Sequence, residues 1–447
     1  MKRLLTVLLA VTLLLTACGF AGAEQGARKV ENAQDAEEWM AVFLGADPGA
    51  LEGAWELTPQ MQAAVSQLGG LQGLAKSLAA LGTLQKIGAV REGNTQGFTA
   101  YYVPCVFSAM SVDLILVTEN GAVAGLSTGP YSGKSTEAED VAFVSIDLAL
   151  PVPALDGKLP GTLLLPRGEG PFPAVVLVHG SGASDRDETV GALAPFRDIA
   201  EGLARQGIAV YRYDKRTYVY GTLLAGETQL TLKEETVDDA VAAVQLLAGQ
   251  EKIDPDRIYV LGHSLGGNAI PLIAKALAEQ PVSARGFIMM AASPRRLDEL
   301  MREQYGFLYS LLPEVTDQMQ AEKDALLGEL DKLNDLDSLT DSDAVAGAYA
   351  PYWKYLAAYD ALTAAEEIAA PCLLLWGEED YQVTEVGFAI WQEALGGREN
   401  WTLISYPGLT HCFVPGLKAE GSAVYYRSAA VDEAVIADIA EFIGQNQ

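Results

Sequence analysis

Histidine is sparse in this 447-residue chain, which has only His179, His263 and His411. Any chemistry that needs an imidazole must be served by one of these three. Cysteine is almost as scarce, with Cys18, Cys105, Cys372 and Cys412 and no C-x-x-C spacing among them. That pattern argues against both a zinc site and a disulfide framework. The last three cysteines cannot all pair, so buried free thiols are expected, with a Cys372–Cys412 bridge left open. Basic residues are also under-represented: 30 Lys and Arg stand against 59 Asp and Glu, for a formal charge of −29. So acidic a surface argues against nucleic-acid partners and against electrostatic docking on anionic lipid. Apolar residues are not lacking. They make up 50% of the chain, enough for a large core, and the length suggests two or three domains.

The N-terminus reads as a targeting segment. Lys2 and Arg3 precede an apolar run from Leu4 to Leu15, too short to span a bilayer comfortably, and small residues follow. Leu15-Thr16-Ala17-Cys18 is similar to the lipobox of bacterial lipoproteins, in which the cysteine becomes the lipidated first residue. The expectation is a signal peptide over 1–17, lipidation at Cys18, a polar tether over 18–32 and an extracytoplasmic location. Membrane contact would then come only through the lipid at Cys18. An ordinary secretory signal with a chance cysteine is the alternative.

Residues 33–130 carry helical apolar spacing over Asp35–Phe43 and Gln60–Leu81, with a stripe of Leu71, Leu74, Leu78 and Leu81. Strands are expected over Leu84–Arg91, Gly97–Phe107, Met110–Thr118 and Ala122–Thr128. Helices followed by an antiparallel meander describe a small α+β domain. It resembles the NTF2-like accessory domains found ahead of some bacterial secreted hydrolases, by pattern and not by motif. A Gly/Pro/Ser/Thr linker follows from Gly129, and from about 141 to the end strands alternate with helices, indicating a mainly parallel sheet. The alternation stops at about 294–370, where a charged helical stretch carries Tyr305, Phe307, Tyr309, Tyr349, Tyr352, Trp353, Tyr355 and Tyr359. A lid would sit there, its aromatics either lining a pocket or packing the lid's own core.

Within this second domain Gly262-His263-Ser264-Leu265-Gly266 lies between a buried apolar run ending at Leu261 and a helix-forming stretch from Asn268. Strand, G-x-S-x-G, helix is the setting of a nucleophile elbow, in which two glycines allow a close approach and the serine is held strained and exposed. A serine hydroxyl needs a base. His263 lies inside the elbow, with its side chain expected to point away from the Ser264 tip. His179 ends a strand and is read as a brace for the following loop. His411, on a loop between a late strand and the last helix, is the base by elimination. Its acid should follow the buried run Leu373–Trp376, where Asp380 is preferred and Glu378 and Glu379 compete. Oxyanion donors, each worth roughly 3–4 kcal/mol of barrier, are expected from the Leu265 N–H and the Ser181 N–H.

Together His179-Gly180-Ser181-Gly182, Asp185-Arg186-Asp187-Glu188-Thr189, Tyr213-Asp214-Lys215-Arg216, the elbow, Gly377-Glu378-Glu379-Asp380 and Thr410-His411 resemble the α/β-hydrolases, specifically the bacterial secreted carboxylesterases. The resemblance covers roughly two-thirds of the chain. It implies an α/β fold, hydrolysis of small-molecule carboxylic esters through an acyl-enzyme, and neither metal nor organic cofactor. Salt bridges bracing the oxyanion loop account for Asp185, Arg186, Asp214, Lys215 and Arg216, with substrate-carboxylate binding by Arg186 or Arg216 as the alternative. A peptidase, thioesterase or acyltransferase using the same triad, or a non-catalytic binding lipoprotein, remain open alternatives.

Overall fold

The computed structural model describes residues 27–95, 98–107, 111–130 and 142–446. The expected signal peptide and Cys18 lie outside the described residues. Contacts divide the chain into two units, one up to Glu137 and one from Ala138. Among the described residues no helix is long and apolar enough to cross a membrane.

In the first unit helix α1 (Ala33–Phe43) starts where the Asn32 side chain accepts the Gln34 and Asp35 N–H groups. Such a cap satisfies donors that no helix can pair internally. The single helix expected over Gln60–Leu81 is broken into α2 (Pro59–Gln67) and α3 (Gly70–Ser77), followed by a 3₁₀ turn over Leu78–Leu81. Gly69 and Gly70 sit at φ 85° and 80°, left-handed backbone that ends α2. The strand expected over Leu84–Arg91 is likewise two, β1 (Leu84–Ile87) and β2 (Arg91–Thr95), which pair in succession along one edge of β3 (Phe98–Phe107). β4 (Ser111–Glu119) and β5 (Ala122–Pro130) complete an antiparallel sheet. Trp39, Met40 and Phe43 of α1 pack with Tyr101, Val103 and Leu114 of that sheet in one core.

The second unit is organised by an eight-stranded sheet. Its order is β6 (Phe143–Asp147), β9 (Gly161–Pro166), β11 (Ala209–Tyr213), β10 (Phe172–Val178), β12 (Ile253–His263), β13 (Gly286–Met290), β16 (Cys372–Gly377) and β17 (Trp401–Tyr406), with a small hairpin of β7 (Leu150–Val152) and β8 (Gly157–Leu159) beside it. β6, β9 and β11 are joined antiparallel, and every pairing from β11 to β17 is parallel. Strands covered on both faces read as continuous apolar runs, as β10 and β16 do. Alternate residues of β10 enter different cores. Ala174, Val176 and Val178 meet α5 (Asp238–Ala248), α6 (Leu265–Ala278) and α11 (Glu385–Leu395), while Val175 and Leu177 meet α4 (Pro195–Arg205) and α12 (Glu433–Gln445).

Between β13 and β16 the sheet is interrupted by α7 (Leu297–Ser310), α8 (Asp317–Asp331), a two-residue hairpin of β14 (Ala344–Val345) and β15 (Ala348–Tyr349), α9 (Ala350–Ala358) and α10 (Ala361–Glu366). The hairpin is an addition to the all-helical expectation. Cys105, Cys372 and Cys412 are free and buried, and burial raises the thiol pKa of all three.

Candidate active site

The sharp turn from β12 into α6 is made possible by glycines. A Cβ on Gly262 would lie 2.2 Å from the Gly266 carbonyl oxygen, and one on Gly266 would lie 2.3 Å from that of Val178. No side chain fits at either position, so α6 packs directly on the ends of β12 and β10. Ser264 between them is held at φ 55°, ψ −118°, its N–H bonded to the Met290 carbonyl at 2.8 Å. For a residue other than glycine such backbone costs of order 1–3 kcal/mol and persists only where its surroundings enforce it. Leu265 is the first residue of α6, so helix geometry leaves its N–H without an intrahelical acceptor.

The loops that carry Asp380 and His411 are tied to each other. A Cβ on Gly377, at the exit of β16, would lie 2.4 Å from the Leu409 carbonyl oxygen, and the Glu379 N–H donates to that same oxygen at 2.9 Å. Of the three consecutive acids, only Asp380 turns inward. It is fully buried, and its Oδ2 lies 2.7 Å from His411 Nδ1. Its Oδ1 accepts the Gln382 and Val383 N–H groups at 2.7 and 2.9 Å, which fixes the carboxylate plane. Glu378 instead accepts the Ser405 hydroxyl and Glu379 the Lys418 N–H. With Nδ1 engaged by Asp380, His411 keeps Nε2 free for proton transfer.

His263 does more than occupy the elbow. Its ring lies 4.8 Å from that of His411, and its Nε2 is 2.9 Å from the His411 carbonyl oxygen. A carbonyl only accepts, so Nε2 carries a proton. Nδ1 lies 2.9 Å from Glu188 Oε2, out of line with the ring N–H direction. The carboxylate at that distance favours a proton on Nδ1 as well, and so the imidazolium. Burial opposes the charge, but the Glu188 carboxylate outweighs it and raises the His263 pKa; burial likewise opposes Glu188 ionisation, and His263 outweighs it and lowers the Glu188 pKa. Glu188 also accepts the Gly180 N–H at 2.7 Å, so this pair links the loop after β10 to the loop that carries His411. The only sequence sign of it was a histidine inside the elbow.

His179 braces the loop that follows it. Its Nε2 is bonded to the Asp185 carbonyl at 2.9 Å and its ring packs on Phe196 and Tyr213, while burial lowers its pKa. Arg186 forms a two-pronged pair with Asp214 at 2.9 Å through Nε and Nη2, and Arg216 a buried one with Asp239 at 2.8 and 2.6 Å. Both guanidinium groups are committed to carboxylates of the fold, as bracing salt bridges are.

Ser264 opens on a cavity of about 640 Å³ whose lining also includes Ser181 and Leu265. Five of the eight expected lid aromatics line it: Tyr305, Tyr349, Tyr352, Trp353 and Tyr359. Phe307 stacks on Tyr381 instead. The size suits an organic small molecule. Among the described residues no group of His, Cys, Asp and Glu is arranged to hold a metal ion.

Residues 175–420 match the family described as "Alpha/beta hydrolase family". The chain is 37% identical over 334 residues to Esterase EstD of Thermotoga maritima, covering 74% of this chain and 76% of that protein. It is 25% identical over 269 residues to the peroxisomal succinyl-coenzyme A thioesterase of Mus musculus, covering 59% of this chain and 54% of the other. Among solved structures it is similar to Est1E from Butyrivibrio proteoclasticus, at 21% identity and a TM-score of 0.41 over 68% of this chain and 99% of that one.

Proposed function

The chain belongs to the alpha/beta hydrolase family, and within it we infer a serine carboxylesterase. The observation that carries this reading is the buried Asp380–His411 pair together with a strained elbow residue, Ser264, that opens on a cavity. In the proposed reaction Ser264 Oγ attacks the acyl carbon while His411 Nε2 takes its proton. The ester C=O becomes an oxyanion held by the Ser181 and Leu265 N–H groups. His411 returns the proton to the departing alkoxide, leaving an acyl-Ser264. Water, deprotonated by the same nitrogen, then releases the acid. Asp380 holds the imidazole in the reactive tautomer and stabilises its cation.

The same reading takes the protein to be an extracytoplasmic lipoprotein anchored through Cys18, with an NTF2-like accessory domain ahead of the hydrolase. The basic and apolar leader and the Leu15-Thr16-Ala17-Cys18 sequence support this. Metabolic labelling with a palmitate analogue, lost in Cys18→Ala, tests the anchor. Hydrolysis of p-nitrophenyl acetate, butyrate and octanoate by residues 24–447, beside Ser264→Ala, tests the chemistry. A fall of several orders of magnitude in the variant is expected. Parent activity no better than buffer, with Ser264 unlabelled by a fluorophosphonate, would overturn it.

A further inference from the structure

The peptide unit joining Gly180 to Ser181 is gripped on the side away from its N–H. Its carbonyl oxygen accepts from Lys215 Nζ at 2.7 Å. In a trans amide the C=O and N–H point in opposite directions. Anchoring the oxygen therefore sets the line along which the Ser181 N–H, assigned above to the oxyanion, is aimed. One bond back, the Gly180 N–H is held by Glu188. Side chains, not a ladder of secondary structure, thus fix both peptides of this turn.

Lys215 is itself held. It is 2% exposed, and its Nζ lies 2.8 Å from Glu235 Oε1. The other oxygen of Glu235 accepts the Tyr352 hydroxyl at 2.6 Å. Tyr352 belongs to α9 of the insertion, and both it and Glu235 line the cavity. A continuous buried chain, Tyr352–Glu235–Lys215–Gly180, therefore runs from the lid to the oxyanion turn.

We propose that Lys215 is a positioning residue for the oxyanion amide, and that Glu235 and Tyr352 hold it so that seating of the lid helix sets how squarely the Ser181 N–H meets the oxyanion. This rests on the serine-esterase reading. Two physical effects act together: the ammonium fixes the direction of the amide, and it polarises that amide into a stronger donor. Both act more strongly on a full oxyanion than on a neutral ester carbonyl, so they raise turnover and leave substrate affinity nearly alone.

The test uses two variants. Lys215→Met/Glu235→Gln removes both charges at once, which avoids stranding a buried carboxylate. Tyr352→Phe removes one hydroxyl and leaves the charges in place. Each is assayed for kcat and KM on p-nitrophenyl butyrate, and for inhibition by an alkyl trifluoromethyl ketone, whose adduct with serine carries the oxyanion. Complete loss of one donor costs roughly a hundred- to a thousandfold, so a misaimed one should cost the double variant about 30-fold in kcat, with KM within about twofold. The ketone should weaken by the same factor, a readout that a merely structural role would not move. Tyr352→Phe should lose about threefold in both. A folded double variant with parental kcat, or one that loses kcat while the ketone binds as before, overturns the proposal. If the double variant does not fold, unchanged kcat and inhibition in Tyr352→Phe overturn it instead. A parent that hydrolyses no ester would instead refute the esterase reading.

Discussion

Replacing Glu188 with glutamine isolates the charge of the buried His263–Glu188 pair, because the two side chains have nearly the same shape. In the parent, Glu188 accepts the Gly180 N–H at 2.7 Å and faces His263 Nδ1 at 2.9 Å. The amide can keep the first contact through its oxygen and donate to a neutral His263 through its nitrogen. The His411 carbonyl still receives the His263 Nε2 proton. Removing one partner of a buried pair costs about 3–5 kcal/mol when nothing replaces it; with two contacts rebuilt, about 2 kcal/mol is expected. The pH dependence gives the sharper test. The His263 pKa is raised, so its contribution is complete below the ordinary 6.5 and is lost as pH rises through its folded value. The Glu188 pKa is lowered, so its contribution is complete above the ordinary 4.5 and is lost as pH falls through its folded value. The difference between parent and Glu188→Gln should therefore be largest between pH 4.5 and 6.5. It should shrink, or change sign, as pH rises through the folded His263 value, above which the parent sets a carboxylate against a neutral ring. Lys215 faces the cluster through Gly180, and Asp380 and His179 through their fields, but the variant leaves all three in place. Thermal unfolding of both proteins across this range should show a gap of about 4 °C at the acidic end. A gap that stays constant with pH would refute the imidazolium assignment.

Four further substitutions extend the test. Asp380→Asn presents His411 Nδ1 with an amide in place of a carboxylate and favours the wrong tautomer, so kcat on p-nitrophenyl butyrate should fall about 10⁴-fold; Glu378→Gln, whose parent carboxylate is bonded to Ser405, should leave it unchanged. Gly266→Ala would put a methyl carbon 2.3 Å from one backbone oxygen and 2.5 Å from another, and should abolish activity or folding. Gly328→Ala in α8 meets nothing within 4 Å and should stabilise the protein by up to about 1 kcal/mol in chemical denaturation.

The parts of the site that are local in sequence were the legible ones. The elbow announces itself because two glycines four residues apart between a buried run and a helix have few other uses. His411 was reachable by elimination, since the chain has only three histidines. Asp380 was preferred over Glu378 and Glu379 on position alone. What distinguishes it is a turn that buries one acid and bonds the other two elsewhere, and that turn depends on Gly377 packing against the loop after β17. The Glu188–His263 and Lys215–Glu235–Tyr352 contacts could not be read at all. Each joins segments far apart in the chain through single side chains, and neither leaves a periodic or spaced pattern. The break of the first unit's second helix at Gly69-Gly70 was missed although the two glycines mark it, because helical apolar spacing stands on both sides and the leucine stripe begins directly after it, at Leu71.

The loop that carries His411 also depends on what comes after it. The Asp432 N–H bonds to the Phe413 carbonyl at 3.0 Å, and α12 then buries Val435, Ile439 and Ile443 in the same core as Phe413. During synthesis, a nascent chain in which everything up to His411 has emerged thus carries Ser264, Asp380 and His411 but lacks the contacts that α12 adds behind Phe413. Full esterase activity should therefore wait for α12 to dock, so a chain still on the ribosome would be less active than the released one.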